Sequence, residues 1–236
     1  MAKIDVCELL SANPYPGRGI IVGRSEDGGR SVMLYFIMGR SENSRNRVFI
    51  KTDDGIRTAP YDPAKITDPS LVIYHPVRVI GDRTIVTNGD QTDTIRDCLS
   101  SGRDFRSALL RWEFEPDAPN YTPRISGLIE RDGSYSLSIL KTSGGSPECC
   151  LRSFFEYSAA IPGLGHFIST YKTDGDPLPA FEGEPIPINI ATANGLKYFA
   201  TTVWNSLNED NKVSLYARET ITASGESLEI IINKYQ

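Results

Sequence analysis

Residues 38–47 form a polar segment that contains three arginines and directly follows a strongly apolar stretch. A guanidinium group stays charged and presents a rigid fork of N–H donors, so such a segment could clamp a phosphate or polarise a carbonyl oxygen. A solvated polar loop would have the same composition. The segment is therefore a candidate anion or carbonyl site, with a solvated loop as the alternative.

A second polar segment, residues 87–94, lies where a strand pattern ends and a helix pattern begins. Free backbone N–H groups and the helix dipole at such a point favour an anion. Thr92 or Asp93 could instead serve only as the helix N-cap. Both interpretations stay open at this point.

Two further residues have side chains that could transfer protons. Tyr74 lies in the segment Tyr74-His75-Pro76, and Glu115 lies in Glu113-Phe114-Glu115, shortly before Thr122-Pro123-Arg124. A positioned tyrosine or carboxylate can act as a general acid or base, but a lone residue of either type is usually structural or solvated.

Strand patterns dominate the first half of the chain and must position these residues. Residues 18–24 and 31–38 flank a glycine-rich polar turn and predict a hairpin. Further strands are predicted at residues 47–51, 71–74, 77–80 and 84–87. The first half is therefore mainly β.

Helical spacing of apolar residues begins after residue 90 and predicts two short helices or one broken helix over residues 93–113, with Ser101-Gly102 as the break. A hairpin follows at residues 124–140, turning at Arg131-Asp132-Gly133. The remaining predicted elements are a strand at 167–171, a proline-rich surface loop at 174–187, a helix at 193–208, and strands at 213–219 and 227–233. This order favours an α+β protein with two antiparallel sheets between helices, which we treat as a single domain over residues 1–236 with an N-terminal extension at 1–15.

Composition excludes several classes of protein. The chain has 25 basic and 30 acidic residues, so a broad nucleic-acid-binding face is not expected. The apolar runs are too short to cross a membrane, and the N-terminal residues lack a secretory signal, so we expect a cytoplasmic location. Four cysteines and two histidines lack the spacing of a metal site, and Cys149 and Cys150 are expected to be free thiols.

Taken together, these segments resemble the archaeal-type inosine monophosphate (IMP) cyclohydrolase family in order and spacing. The resemblance covers most of the chain and is most specific over residues 16–130. It rests on these residues: Pro16-Gly17-Arg18, Arg40-Ser41, Asn46-Arg47, Tyr74, Val77-Arg78-Val79, Gly81-Asp82, Thr87-Asn88-Gly89, Thr92-Asp93-Thr94-Ile95, Glu115, Thr122-Pro123-Arg124-Ile125 and Ile168-Ser169-Thr170-Tyr171.

The resemblance implies a four-layer αββα sandwich like that of the N-terminal-nucleophile hydrolases, without their terminal nucleophile. It also implies a reaction, the ring closure of 5-formamidoimidazole-4-carboxamide ribonucleotide to IMP with loss of water. Both reacting groups are on one ring, so the protein must supply orientation, proton transfer and stabilisation of oxygen charge. The implied partner is a small purine nucleotide, and neither a cofactor nor a metal is implied.

Site residues follow from the same resemblance. Arg47 would orient the carboxamide or stabilise charge on oxygen, Tyr74 would donate or relay a proton, and Glu115 would accept one. The implied substrate-binding residues are Arg18, Arg40, Asn88, Gly89, Thr92 and Arg124.

This sequence departs from the family pattern in its N-terminal extension, its longer arginine-rich loop and its insertions around residues 174–187. Two other functions stay open: an amide hydrolase of the N-terminal-nucleophile type, which would need a nucleophile released by cleavage, and a purine nucleotide-binding protein without turnover. A homo-oligomer is also left open, as is a lid role for the proline-rich loop.

Overall fold

The computed structural model describes residues 4–65 and 73–235, which form two antiparallel sheets and five α-helices. The helices are α1 (Val6–Ser11), α2 (Glu42–Arg45), α3 (Gln91–Ser100), α4 (Phe105–Leu109) and α5 (Leu196–Ser206). The first sheet contains β1 (Arg18–Arg24), β2 (Arg30–Met38), β10 (Leu164–Ser169), β11 (Ile186–Asn189), β12 (Lys212–Ile221) and β13 (Ser227–Asn233). The second contains β3 (Arg47–Thr52), β4 (Gly55–Pro60), β5 (Val77–Ile80), β6 (Arg83–Thr87), β7 (Arg124–Ile129), β8 (Tyr135–Ser143) and β9 (Ser146–Tyr157).

The two sheets differ in how the chain connects their strands. The second sheet keeps chain order from β3 to β9, as expected for a run of hairpins. The first sheet has the order β11-β10-β1-β2-β12-β13, so its central hairpin comes from the start of the chain and its flanks come from the end.

Strand β2 is buried from Ser31 to Met38 because both of its faces are covered. Val32, Leu34 and Phe36 belong to one apolar cluster, whereas Met33, Tyr35 and Ile37 belong to another. A strand buried on both sides has a continuous apolar sequence instead of an alternating one.

Three clusters of buried side chains define the packing. One joins the outer face of the first sheet to α1 and α5, a second lies between the sheets, and a third joins the outer face of the second sheet to α3 and α4. The protein is thus α+β with two antiparallel sheets, an arrangement compatible with a sandwich.

The structure confirms the hairpins at 18–38, 77–87 and 124–140, the helix break at Ser101-Gly102, the helix within 193–208 and the closing strands. The predicted strand at 71–74 lies partly outside the described residues, and Tyr74 itself is in a bend. The predicted loop at 174–187 is a loop only to residue 185, since the edge strand β11 begins at Ile186. Edge strands tolerate proline, which explains Pro187 in that position.

Several short or irregular elements were missed from the sequence, among them α1, α2, β4 and β9. Helix α1 has only six residues, too few for a periodic pattern, yet Val6 and Leu10 bury it against α5. Strand β4 has mixed composition, and the edge strand β9 has no buried residue, so neither shows a clear alternation.

Candidate active site

The arginine-rich segment connects β2 of the first sheet to β3 of the second. After β2 ends, Ser41 caps the short helix α2 and exchanges hydrogen bonds with Ser44 in a capping box. The chain then enters β3 at Arg47. An added Cβ on Gly39 would come within 2.6 Å of the Ser44 hydroxyl oxygen, so this position needs glycine.

Arg47, at the end of this connection, is buried, with 2% of its surface exposed. Its Nε donates to the Ser44 carbonyl at 2.8 Å and its Nη2 to the Met38 carbonyl at 3.4 Å, while Nη1 has no protein partner. Among residues 4–65 and 73–235, no carboxylate forms an ion pair with it. Burial lowers the pKa of Arg47, which means that its charge is poorly compensated.

Arg18 and Glu115 form a buried ion pair beside Arg47. The Arg18 Nη2 lies 3.3 Å from Glu115 Oε2, and Arg18 Nε has no partner. Glu115 is positioned by its backbone N–H, which donates to the Thr122 carbonyl at 2.8 Å. Burial raises the pKa of the Glu115 carboxyl group, although Arg18, Arg124 and Arg47 oppose that shift. A raised pKa suits a carboxylate that must both accept and release a proton.

Tyr74 contacts a second buried tyrosine, Tyr35 of β2. Its hydroxyl lies 2.9 Å from the hydroxyl of Tyr35, and both residues are buried. Thr58 holds the Tyr74 backbone on both sides, because its hydroxyl accepts from the Tyr74 N–H and donates to the Tyr74 carbonyl. Burial and the neighbouring Tyr74 raise the pKa of Tyr35 well above its ordinary value, so Tyr35 stays a neutral phenol.

The segment from Asn88 to Thr92 contacts Glu115 through Asn88. Asn88 donates to Glu115 Oε1 at 3.4 Å and to the Pro123 carbonyl at 2.9 Å. Thr92 is fully buried and bonds to the Thr87 hydroxyl and the Gly89 carbonyl. Asn88 and Thr92 are thus held by protein groups in this structure.

Arg124 contacts the same segment. Its Nη1 donates to Gln91 Oε1 at 2.9 Å, its guanidinium lies 4.7 Å from the centre of the Trp112 ring, and its Nε has no partner. A Cβ on Gly89 would come within 2.3 Å of Arg124 Nη1. Gly89 therefore allows the guanidinium to approach the backbone.

Arg40 lies at the rim. Its Nη1 donates to Asp174 Oδ1 at 2.7 Å and to the Gly175 carbonyl at 2.9 Å, and its guanidinium stacks on the Tyr15 ring. The side chain is more than a third exposed. Arg40 thus connects the arginine-rich segment to the proline-rich loop.

Some of these groups line a cavity of about 360 Å³. Its lining residues are Tyr15, Arg18, Met38, Arg40, Ser41, Asn43, Ser44, Arg47, Glu115, Asp117, Asn120, Thr122, Tyr171 and Leu178. Such a volume is within the range of small-molecule sites. Of the predicted residues, Arg18, Arg40, Arg47 and Glu115 line the cavity, and Tyr74, Asn88, Gly89, Thr92 and Arg124 do not.

Several cavity residues were not predicted as site residues. Tyr171 and Thr122 are part of the segments that carry the family resemblance, and this was the available signal for them. Asp117, Asn120 and Leu178 come from loops without a recognisable motif. Tyr35, which holds Tyr74, has no signal because it lies within a continuous apolar strand.

The described residues contain no cluster of three or more histidine, cysteine, aspartate or glutamate side chains that could hold a metal ion. All four cysteines are free thiols. Within the same residues, no helix is both long enough and apolar enough to span a membrane.

Comparison with known proteins assigns the family. The family model described as "IMP cyclohydrolase-like protein" matches residues 15–224, which include every candidate site residue. This chain belongs to that family.

Several archaeal relatives of this IMP cyclohydrolase-like chain carry the name "IMP cyclohydrolase". The protein from Methanopyrus kandleri is 31% identical over 185 residues, covering 71% of this chain and 89% of the relative. Those from Methanococcus aeolicus and Methanosphaera stadtmanae are 26% and 29% identical over 162 residues, each covering 67% of this chain and 74% of the relative.

Proposed function

We propose that this chain is an IMP cyclohydrolase, which closes 5-formamidoimidazole-4-carboxamide ribonucleotide to IMP and water in purine biosynthesis. Family membership and the names of the relatives support this activity. The substrate is a small purine nucleotide.

One observation in the site carries the proposal most directly, namely the buried, poorly compensated charge of Arg47. A guanidinium without a carboxylate partner is costly to bury unless a ligand supplies oxygen atoms. Arg47 Nη1 and Arg18 Nε are both buried and free of protein partners beside the cavity. We assign Arg47 to the carboxamide or formyl oxygen, where it stabilises the negative charge that develops during attack.

Tyr74 and Glu115 divide the proton transfers in this proposal. The carboxamide nitrogen attacks the formyl carbon, Glu115 accepts a proton from that nitrogen directly or through water, and Tyr74 donates or relays a proton to the former formyl oxygen. Glu115 then returns its proton to the leaving hydroxyl. Its raised pKa favours that return.

Substrate binding involves two sets of residues. Arg18 and Arg40 line the cavity, which supports their assignment to the anionic nucleotide. The second set belongs to the segment that contacts Glu115 or packs against that segment. We assign to it Asn88, Gly89, Thr92 and Arg124. We infer as well that residues 1–236 form one domain whose layers follow the αββα order of the N-terminal-nucleophile hydrolases.

An ultraviolet assay with purified protein and synthetic formamidoimidazole carboxamide ribonucleotide tests the function. We expect IMP formation by the wild-type protein and a loss of about 100-fold or more in Arg47→Gln, the scale seen when one donor to a developing oxyanion is removed. Arg57→Gln serves as the matched control because Arg57 is exposed on β4, and it should keep wild-type turnover.

Circular dichroism of each variant checks folding. Equal turnover by Arg47→Gln and the wild-type protein would rule out the assigned role of Arg47. Saturable binding of the ribonucleotide without turnover would instead identify a nucleotide-binding protein.

A further inference from the structure

Three cavity residues outside the assigned catalytic set form a continuous hydrogen-bond chain. The hydroxyl of Tyr171 lies 2.5 Å from the hydroxyl of Thr122, which lies 2.5 Å from Asp117 Oδ2. All three residues line the same cavity as Glu115 and Arg47. The short spacings place each hydroxyl within direct proton-transfer distance of the next.

The direction of this chain is determined by its last member. An ionised carboxylate only accepts, so Thr122 must donate its single hydroxyl proton to Asp117. The Thr122 backbone N–H holds the other carboxylate oxygen at 2.7 Å, which aligns Asp117 for this bond. Tyr171 must therefore donate to Thr122, and its phenolic oxygen keeps lone pairs free to accept a proton from the cavity.

Asp117 is the most exposed member of this chain. Tyr171 and Thr122 are 3% and 1% exposed, whereas Asp117 is only partly buried. The Tyr171 ring stacks on Tyr15, and the Tyr171 N–H donates to the Pro16 carbonyl. The chain thus leads from a rigid buried hydroxyl to a carboxylate that can exchange protons with solvent.

We propose that Tyr171, Thr122 and Asp117 form a proton relay that removes the second N–H proton of the ring-closing reaction. This inference rests on the proposed function. Ring closure transfers two N–H protons to one oxygen, which leaves as water. Glu115 is assigned the carboxamide proton, so the formamido N–H proton, lost as the C=N double bond forms, needs another acceptor.

With the relay, every proton moved in this step is accounted for. The formamido proton passes to the Tyr171 oxygen, the Tyr171 proton passes to Thr122, and the Thr122 proton passes to Asp117, which releases it to solvent. The carbon–oxygen bond of the former formyl group breaks at the same stage. Tyr74, having donated its proton to that oxygen, regains one from solvent, so no net proton is gained or lost.

Three variants test the relay through kcat, KM and the solvent deuterium isotope effect. Tyr171→Phe removes the hydroxyl and keeps the stacked ring, and Thr122→Val removes the hydroxyl and keeps the side-chain shape. Asp117→Asn places an amide donor against the Thr122 hydroxyl, which reverses the Thr122–Asp117 hydrogen bond. We expect each to lower kcat by about 10- to 100-fold, the range of lost acid–base catalysis, with KM within about threefold. Tyr198→Phe, at an exposed position on α5, is the matched control and should behave as wild type.

Two readouts distinguish a relay from a structural role. Combining Tyr171→Phe with Thr122→Val should lower kcat no further than either single change, because both interrupt one path. The solvent isotope effect on kcat should rise as proton removal becomes rate-limiting. If Tyr171→Phe fails to fold, Thr122→Val and Asp117→Asn carry the test.

Wild-type turnover with kcat unchanged in the folded variants would overturn the relay and leave the proposed function standing. Additive losses with an unchanged isotope effect would also overturn it. Absence of turnover by the wild-type protein would overturn both proposals.

Discussion

A single hydrogen bond between buried hydroxyls helps to fix the orientation of Tyr74, the candidate acid. Tyr74 lies in a bend, outside any regular element, so neighbouring side chains must fix its orientation. Tyr35 provides this support through the hydroxyl contact at 2.9 Å, and its own ring stacks on Phe49 at 5.7 Å. A strand in the centre of the first sheet thereby positions a loop residue of the second.

Replacing Tyr35 with phenylalanine tests that positioning role. We expect Tyr35→Phe to lower kcat by about 3- to 10-fold with little change in KM, because Tyr74 loses its partner but remains present. The free energy of unfolding should fall by about 1 kcal/mol, the typical value of one hydrogen bond. Steady-state kinetics and urea unfolding measure the two effects. Unchanged kcat would show that Tyr74 is positioned without Tyr35.

At the scale of elements, the start of β1 places Arg18 next to the segment that carries Tyr171. The Arg18 N–H donates to the Thr170 hydroxyl at 3.1 Å, and Gly17 lies directly against Thr170 and Tyr171. Gly17 has φ of 77°, and an added Cβ would come within 2.3 Å of the Thr170 hydroxyl oxygen. Only glycine permits this approach of two strand ends.

Gly17→Ala should therefore disturb both the backbone and the packing. We expect a loss of about 2–4 kcal/mol in the free energy of unfolding, since left-handed strain and overpacking add, together with reduced turnover. Gly183→Ala is the matched control, because Gly183 has φ of 82° but no atom within 4 Å of the added Cβ. It should lose about 1 kcal/mol from strain alone. Equal losses measured by urea unfolding would argue against the close approach.

At the scale of the whole molecule, side-chain hydrogen bonds join the two sheets in addition to the apolar cluster between them. Asn233 of β13 accepts from the Phe49 N–H at 2.8 Å and donates to the Phe49 carbonyl at 3.1 Å, which ties the sheets together at one edge. Tyr135 of β8 contacts His166 Nδ1 of β10 at 2.6 Å, and Tyr157 stacks on the same imidazole. Since strand ends of both sheets line the cavity, Arg18 and Met38 from the first and Arg47 from the second, the relative position of the sheets affects its shape.

The His166 contact makes stability depend on pH. Burial lowers the pKa of His166 to about 4, below the value near 6.5 of an unfolded histidine. Between these values the unfolded chain binds a proton that the folded chain excludes. The stabilisation is therefore complete above about pH 6.5 and is lost as the pH falls towards 4. We expect a loss of about 1–2 kcal/mol, less than the whole shift implies, because the ring is partly solvated.

Urea unfolding of the wild-type protein and His166→Phe from pH 4 to pH 7 measures this contribution. The variant should lose part of the acid sensitivity, whereas replacement of His75, the other histidine, should keep most of it. The same pH dependence in His166→Phe as in the wild-type protein would contradict the role of His166.

The amino-acid sequence by itself determined most of the local elements and the family. Hairpins and the helix break are encoded over short stretches by turn residues and apolar periodicity, so they could be predicted, as could the ordered motifs that carry Arg18, Arg47, Tyr74 and Glu115. Tertiary structure alone decided which groups meet. Arg18 pairs with Glu115 across 97 positions, Tyr35 with Tyr74 across 39, and Tyr171 with Thr122 across 49. Such contacts depend on how two sheets pack, and local periodicity does not encode that packing.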